Sequence, residues 1–395
     1  MTIQIADRGM RIQLFAIVMA GGLMAFTQNS SAQNSPFDEP QDSAMAVLRP
    51  DEYAWRLFVA LNWPADVDNK LPHPMAKLGA HGPVVWETWK NANEVFLQDG
   101  SDPGEWLGKP AQVANSVDDF DRAPLQQLAR DRVLRIVRHV FDPIAALSEI
   151  NETRLNRTTY EFIRAKELYN LGGQNKLAQS GIPQISFPEQ AKEVKAQWRQ
   201  IGEQDKPRYH WAELKLPDDT KRLYGLTALH ITTKDLPNWF WATFEHVDNP
   251  TRGPTRGDES WKLPSVDRFA CPLPPHDCNQ APRDIGLEGT IWTNYRLRGT
   301  QIDFIDSRGN PLRLANSQPE ERFQETSSCI TCHARATIGS SGNDRLQIFA
   351  SNGDGHIGVP DPSWYVKLNP SGEPIQLYTQ LDFVWSLFRA NPKKN

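Results

Sequence analysis

The chain has 395 residues, of which 39% are hydrophobic and 23% are charged, and its formal net charge is −5. This apolar content excludes a disordered chain, and the acidic balance provides no basic surface for nucleic acid. Thirty prolines argue against an all-helical protein because each one removes an amide donor, and only four cysteines exclude a disulfide-dense scaffold.

The first 32 residues have the layout of a secretory signal peptide. Arg8 and Arg11 precede an apolar run at 12–26, and small residues precede a cleavage point after Ala32. The run is shorter than the about 20 residues that span a membrane comfortably, so a retained anchor is the alternative. We therefore expect residues 1–32 to be removed on export, leaving a chain without a membrane span in the periplasm or outside the cell.

Helices are predicted for the first part of the exported chain. Residues 33–50 are polar and contain proline, which predicts a disordered lead-in. The apolar side chains that follow recur at helical spacing and predict a helix that ends near Pro64. Further helices are predicted at 85–89, 124–148 and 153–170. The spaced residues of the first helix are Ala54, Leu57, Phe58 and Leu61.

A change to strands follows later in the chain. Side chains alternate with period two at 223–231 and 239–246, aromatic residues are enriched there, and a short linker joins the two segments. This pattern predicts a β-hairpin. Pairing of residue 233 with residue 239 would place His230 and His246 on one face. With further strands predicted at 208–216, 290–298 and 301–306, the body at 51–316 is expected to contain helices first and an antiparallel sheet second.

Two of the four cysteines enclose a proline-rich segment. Cys271 and Cys278 flank residues 272–277. In an oxidising compartment, this close pair predicts a local disulfide. A metal site that uses His276 and Asp277 is the alternative.

The other two cysteines form the sequence Cys329-Ile330-Thr331-Cys332-His333, which is the C-x-x-C-H pattern of covalent haem attachment. Two thiols at this spacing can each form a thioether with one haem vinyl group, and the adjacent imidazole is then the proximal iron ligand. A thioredoxin-like motif would need a βαβ context, and a zinc site would need a second pair of ligands. The sequence therefore predicts one covalent haem c.

The segment around this motif resembles a small class I cytochrome c module. A capping box at Ser317 and Glu320 opens a helix that leads into Cys329, a long loop follows, and a final helix is predicted. The resemblance implies an all-α haem module at 317–395, so the full expectation is an α+β body followed by that module. The apolar stripe of the final helix contains Leu377, Leu381, Val384, Trp385 and Phe388.

The body carries a second resemblance. The segments ALNWP at 60–64, WETW at 86–89 and WATFEH at 241–246 are similar to those of uncharacterised exported bacterial single-haem proteins. This resemblance implies no activity.

The sixth iron ligand is the main open question. Class I modules commonly use a methionine from the later loop, but no methionine follows Met75 in this chain. His356 is the only histidine or methionine after His333 and is the candidate distal ligand within the module. An open or water-bound iron is an alternative. Further candidates are His230 and His246, which could reach a haem docked on the predicted sheet face, and the upstream Met45 and Met75.

These expectations define the predicted function. An exported single-haem c-type cytochrome would carry one electron to or from a periplasmic redox partner, with Cys329 and Cys332 as attachment points and His333 as proximal ligand. Two strong iron ligands suit such a carrier. The alternatives are a peroxidase- or oxygenase-like haem enzyme with an open distal position, and a haem-based sensor.

Overall fold

Helices form where apolar side chains recur every three or four residues. The computed structural model describes residues 35–107, 149–215, 221–249, 263–273, 277–321, 323–339 and 344–394. The α-helices of these residues are α1 (Ser43–Leu48), α2 (Pro50–Leu61), α3 (Ala92–Val95), α4 (Arg157–Ala165), α5 (Leu171–Gln179) and α6 (Cys329–His333). The helix predicted at 54–61 is confirmed within α2. Because α1 lies within residues 33–50, that lead-in is not irregular throughout.

The other helix predictions have mixed outcomes. Residues 85–89 contain the short 3-10 helix Val85–Thr88. The helix predicted at 153–170 is divided, because a strand ends at Leu155 and the side chain of Asn156 then caps α4 by accepting the amide N–H of Thr159. The predicted signal peptide and the predicted helix at 124–148 lie outside the described residues.

An antiparallel sheet forms the centre of the structure. The strands are β1 (Ala65–Asp66), β2 (Leu71–Pro72), β3 (Lys90–Asn91), β4 (Glu149–Leu155), β5 (Lys192–Gln200), β6 (Trp211–Lys215), β7 (Lys221–Thr233), β8 (Phe240–His246), β9 (Tyr295–Gln301), β10 (Thr337–Gly339), β11 (Val366–Leu368), β12 (Pro374–Gln376) and β13 (Tyr378–Gln380). The main sheet has the order β3–β4–β5–β7–β8–β9, with β6 also paired to β7. Separate antiparallel pairs join β1 to β2, β10 to β13 and β11 to β12. This mixture of helices and antiparallel sheet is compatible with the predicted α+β class.

Most of the predicted strands are present with shifted ends. The segment 208–216 contains β6, and 290–298 contains the 3-10 helix Ile291–Asn294 followed by the start of β9. The strand predicted at 301–306 is absent, because the chain turns away from the sheet after Gln301. Its alternating side chains pack beside the core without joining the ladder.

The predicted hairpin is confirmed as β7 and β8, but its register is different by one residue. Thr233 lies opposite Phe240 rather than opposite Trp239, because Trp239 has a positive φ of 61° and belongs to the turn. A shift of one residue moves a side chain to the other face of a strand. His230 therefore lies opposite Thr243, and His246 lies on the opposite face from His230. The prediction that they share a face is wrong.

The two faces of the main sheet have different chemistry. One face is apolar and packs against α2, where the rings of Phe58 and Phe244 have centroids 4.4 Å apart. We call the other the polar face. It is covered by the chain after residue 316, which we call the C-terminal segment and in which Ser317 and Ser386 hydrogen-bond to Glu245 and Glu193. The side chains that define the polar face are Glu193, Lys195, His230, Trp241, Thr243 and Glu245.

The C-terminal segment is not the all-α module that the sequence suggested. Where one final helix was predicted, residues 378–380 form β13, and Trp385–Arg389 form a 3-10 helix. Asp382 and Phe383 have φ values of 50° and 69°, which are incompatible with a continuous α-helix. The Asp382 carboxylate holds this turn, because it accepts the amide N–H of Phe187 at 2.7 Å and pairs with Lys234 at 2.7 Å. Tertiary contacts thus override the helical spacing.

The body and the C-terminal segment belong to one compact unit, Pro36–Asn395. The boundary predicted between 316 and 317 remains a prediction. None of the helices in the described ranges combines the length and the apolar character needed to cross a membrane.

We predict that Glu245→Ala destabilises the protein by about 3–5 kcal/mol, because it leaves a buried charge unpaired. Glu245 and Arg296 are both fully buried and paired at 2.9 Å, and the same carboxylate accepts two hydrogen bonds from Ser317. The free energy of unfolding in urea measures the effect. Glu213→Ala, which removes an exposed pair with Lys221, is the control and should cost less than about 1 kcal/mol. Equal losses for the two variants would contradict the prediction.

Candidate functional site

Helix α6 presents the two cysteines and the histidine, and strand β9 holds its first turn. Ser328 precedes the helix and accepts a hydrogen bond from the backbone N–H of Thr331. The side-chain amide of Gln301 donates to the Ser328 hydroxyl at 2.8 Å and accepts the backbone N–H of Ile330 at 3.2 Å. The attachment sequence is therefore anchored to the main sheet through a buried amide.

Both thiols of the attachment sequence are free. The Cys329 sulfur lies 3.7 Å from the carbonyl oxygen of Leu314. The Cys332 sulfur accepts the backbone N–H of His356 at 3.2 Å. Burial raises the pKa of both cysteines above the ordinary value, so both are neutral thiols. Neither takes part in a disulfide, which leaves both sulfurs available for covalent attachment.

His333 has one ring nitrogen fixed and the other free. Its Nδ1 lies 2.8 Å from the carbonyl oxygen of Phe383, and because a carbonyl only accepts, Nδ1 carries the proton. The lone pair of the imidazole is therefore on Nε2, which has no hydrogen-bond partner among the described residues. Burial lowers the pKa of His333 to about 4, so the ring is neutral. A metal-binding histidine has this tautomer and this backbone partner.

Two tryptophans enclose the ring of His333. Trp385 stacks on it with centroids 4.2 Å apart and an interplanar angle of 14°. Trp241, from the polar face, contacts it at 4.6 Å with an angle of 58°. These contacts fix the direction of the imidazole, which the hydrogen bond to Phe383 alone would not.

The predicted disulfide between Cys271 and Cys278 is present, with Cα atoms 5.9 Å apart. His276, invoked in the alternative metal site, lies outside the described residues. Asp277 accepts the backbone N–H of Ser265 at 2.9 Å. Within the described ranges, no group of three or more His, Cys, Asp and Glu side chains has the arrangement of a metal site.

His246 is a hydrogen-bonded core histidine. Its Nε2 donates to the carbonyl of Arg208 at 3.1 Å, and its Nδ1 accepts the backbone N–H of Asp248 at 3.1 Å. Tyr209 stacks on its buried ring with centroids 3.7 Å apart. Because both nitrogens are occupied, His246 has no lone pair for a metal.

His356 is half-buried and close to the attachment sequence through its backbone. Its ring packs against Trp364 at 5.4 Å, and the guanidinium of Arg335 lies 4.1 Å from the same indole. Its Nε2 is buried without a hydrogen-bond partner among the described residues. Burial and then the charge of Arg335 lower its pKa to about 4.

His230 lies on the polar face between two charged side chains. Lys195 is opposite it on β5, and its Nε2 is 3.9 Å from a carboxylate oxygen of Glu320. That Nε2 is buried and has no hydrogen-bond partner in the described part of the chain. Burial, Lys195 and His333 together lower the pKa of His230 to about 3, so the ring is neutral.

Lys195 and Glu320 are the charged side chains beside His230. The Lys195 side chain is exposed, yet desolvation by surrounding protein atoms lowers its pKa. Burial raises the pKa of Glu320 to about 7, and its carboxylate accepts the backbone N–H of Asn316 at 2.7 Å.

The remaining candidates for the iron lie elsewhere. Met45 packs against the apolar core from α1, and Met75 is 85% exposed. The structure thus brings together Cys329, Cys332 and His333, with His356 near the cysteines and His230 near His333. The sequence did not indicate Lys195 or the carbonyl of Phe383, since a strand lysine and a backbone oxygen carry no motif. Glu320 was identified only as a capping residue.

Comparison of the chain with family models, with curated proteins and with solved structures finds no match. The function of this site is therefore argued from its residues and geometry.

We predict that His246 makes stability fall as pH falls from about 6.5 to about 4. Burial lowers its pKa to about 4 in the folded state, so the unfolded chain binds the proton first and acid favours unfolding. Its contribution is on the order of 2–3 kcal/mol across that window. Urea unfolding at a series of pH values should give His246→Gln a smaller loss of stability on acidification than the wild type. Identical profiles would contradict the prediction.

Proposed function

We propose that this chain is an exported c-type cytochrome that binds one haem c through Cys329, Cys332 and His333 and transfers single electrons to or from a redox partner protein in the periplasm. The observation that carries the proposal is the state of His333. One ring nitrogen is fixed by the Phe383 carbonyl and the other is free, beside two unpaired thiols at the attachment spacing.

The surrounding residues fit this cofactor. A bound haem supplies a one-electron change between Fe(III) and Fe(II). The hydrogen bond from His333 to Phe383 fixes the tautomer and makes Nε2 a stronger donor. Trp385 stacks on the imidazole and Trp241 contacts it at an angle, so the two indoles keep it in one orientation. A ligand that does not move between oxidation states suits rapid electron transfer.

The body contributes a wall of the proposed site. Gln301 and Trp241 belong to the main sheet, yet they contact the attachment helix and its histidine. Glu193 accepts a hydrogen bond from the hydroxyl of Ser386 at 2.5 Å, next to Trp385. We infer that one purpose of the large body is to shield one side of the cofactor, leaving an exposed edge for the partner.

A haem enzyme is the second candidate. The observation that favours it is the pair of polar side chains, Lys195 and Glu320, beside His230, since these side chains would suit a small polar substrate beside an open iron position. A high-spin ferric protein whose spectrum changes with cyanide would favour the enzyme over the carrier.

We predict that the protein produced with a haem c maturation system carries one haem that survives denaturation, and that Cys329→Ser with Cys332→Ser abolishes it. Thioether bonds persist in denaturing gels, so a haem stain and the intact mass measure the effect. The double variant Cys271→Ser with Cys278→Ser also removes two cysteines, but it breaks only the disulfide and should keep the haem. A wild-type protein without covalent haem would contradict the proposal.

A further inference from the structure

The position of His230 relative to His333 follows from the pairing of β7 and β8. The ring of His333 packs on Trp241. Trp241 lies opposite Thr232, and His230 is two residues from Thr232 on the same face. Alternate residues of a strand are about 7 Å apart. His230 is therefore one side-chain row from the indole on which the proximal histidine rests.

The ring of His230 is neutral and lacks the partner that a buried histidine normally has. Its Nε2 is buried without a hydrogen bond among the described residues, and the nearest carboxylate oxygen, on Glu320, is 3.9 Å away. Buried polar atoms without a partner are uncommon in folded proteins and call for an explanation such as an absent ion or cofactor. Coordination to iron would give Nε2 of His230 the partner that it lacks.

His246 and His356 are less suited than His230 to bind an iron beside His333. His246 uses both of its nitrogens and faces away from the polar face. The ring of His356 packs on Trp364, which also carries the guanidinium of Arg335. His230 is thus the candidate on the polar face, beside the indole that packs on His333.

We propose that His230 is the second axial ligand of the haem iron, so that the iron is held between the C-terminal segment and the main sheet. This inference rests on the proposed function, because it requires a haem at Cys329–His333. It accounts for the absence of any methionine after Met75. A bis-histidine iron is low-spin and has a lower reduction potential than a histidine–methionine iron.

Absorption and EPR spectra of the ferric holoprotein test the proposal. The wild type is expected to be low-spin. His230→Ala should give a high-spin iron that returns to low-spin when free imidazole is added. His356→Ala and His246→Gln are matched controls and should remain low-spin. Low-spin iron in His230→Ala, or high-spin iron in the wild type, would overturn the assignment.

A second variant protects the test against misfolding of His230→Ala. His230→Met keeps a ligand at the same position and should raise the reduction potential, because a thioether favours Fe(II) relative to imidazole. Redox titration measures this shift, and an unchanged potential would count against His230. A wild-type protein that holds no haem would refute the proposed function itself. A haem-loaded His230→Ala with an unchanged spectrum would refute only the ligand assignment.

Discussion

Burial of the polar face of the main sheet is the constraint on which the rest of the structure depends. A sheet face that carries Glu193, His230 and Glu245 cannot be covered by apolar side chains alone without leaving buried polar groups unpaired. Arg296 of β9 pairs with Glu245, and the C-terminal segment supplies further hydrogen bonds, since Ser317 and Ser386 hydrogen-bond to the two glutamates. Because the same segment carries Cys329–His333, its hydrogen bonds to the polar face also place the attachment sequence against the sheet.

This arrangement explains which features could be predicted from the sequence. The helix at 54–61 and the β7–β8 hairpin follow from local periodicity, and the disulfide follows from two cysteines seven positions apart. The prediction of a final helix is wrong because the Asp382 carboxylate is bound by Lys234 and by the backbone of Phe187. These contacts join residues that are distant in sequence. The predicted hairpin register is wrong by one residue because Trp239 has a positive φ and belongs to the turn. This shift places His246 on the opposite face from His230.

The residues of the candidate site were likewise predictable only where a local sequence pattern reveals them. The pattern C-x-x-C-H identifies Cys329, Cys332 and His333 without any knowledge of the fold. The backbone carbonyl that fixes His333 and the lysine opposite His230 depend on how separate segments meet, so no local pattern could reveal them. The structure therefore changes the question about the sixth ligand. The candidate ligand changes from His356, in the loop after the motif, to His230, on the sheet that precedes it.

The position of the iron is the most direct test of haem binding at Cys329–His333. Anomalous diffraction at the iron edge, from crystals of the holoprotein, would locate the iron independently of any assumption about the cofactor. We predict one iron bonded to Nε2 of His333 and lying between α6 and the polar face, beside His230. An iron on the side of α6 that faces away from the sheet, or the absence of iron from protein made with a haem c maturation system, would contradict it.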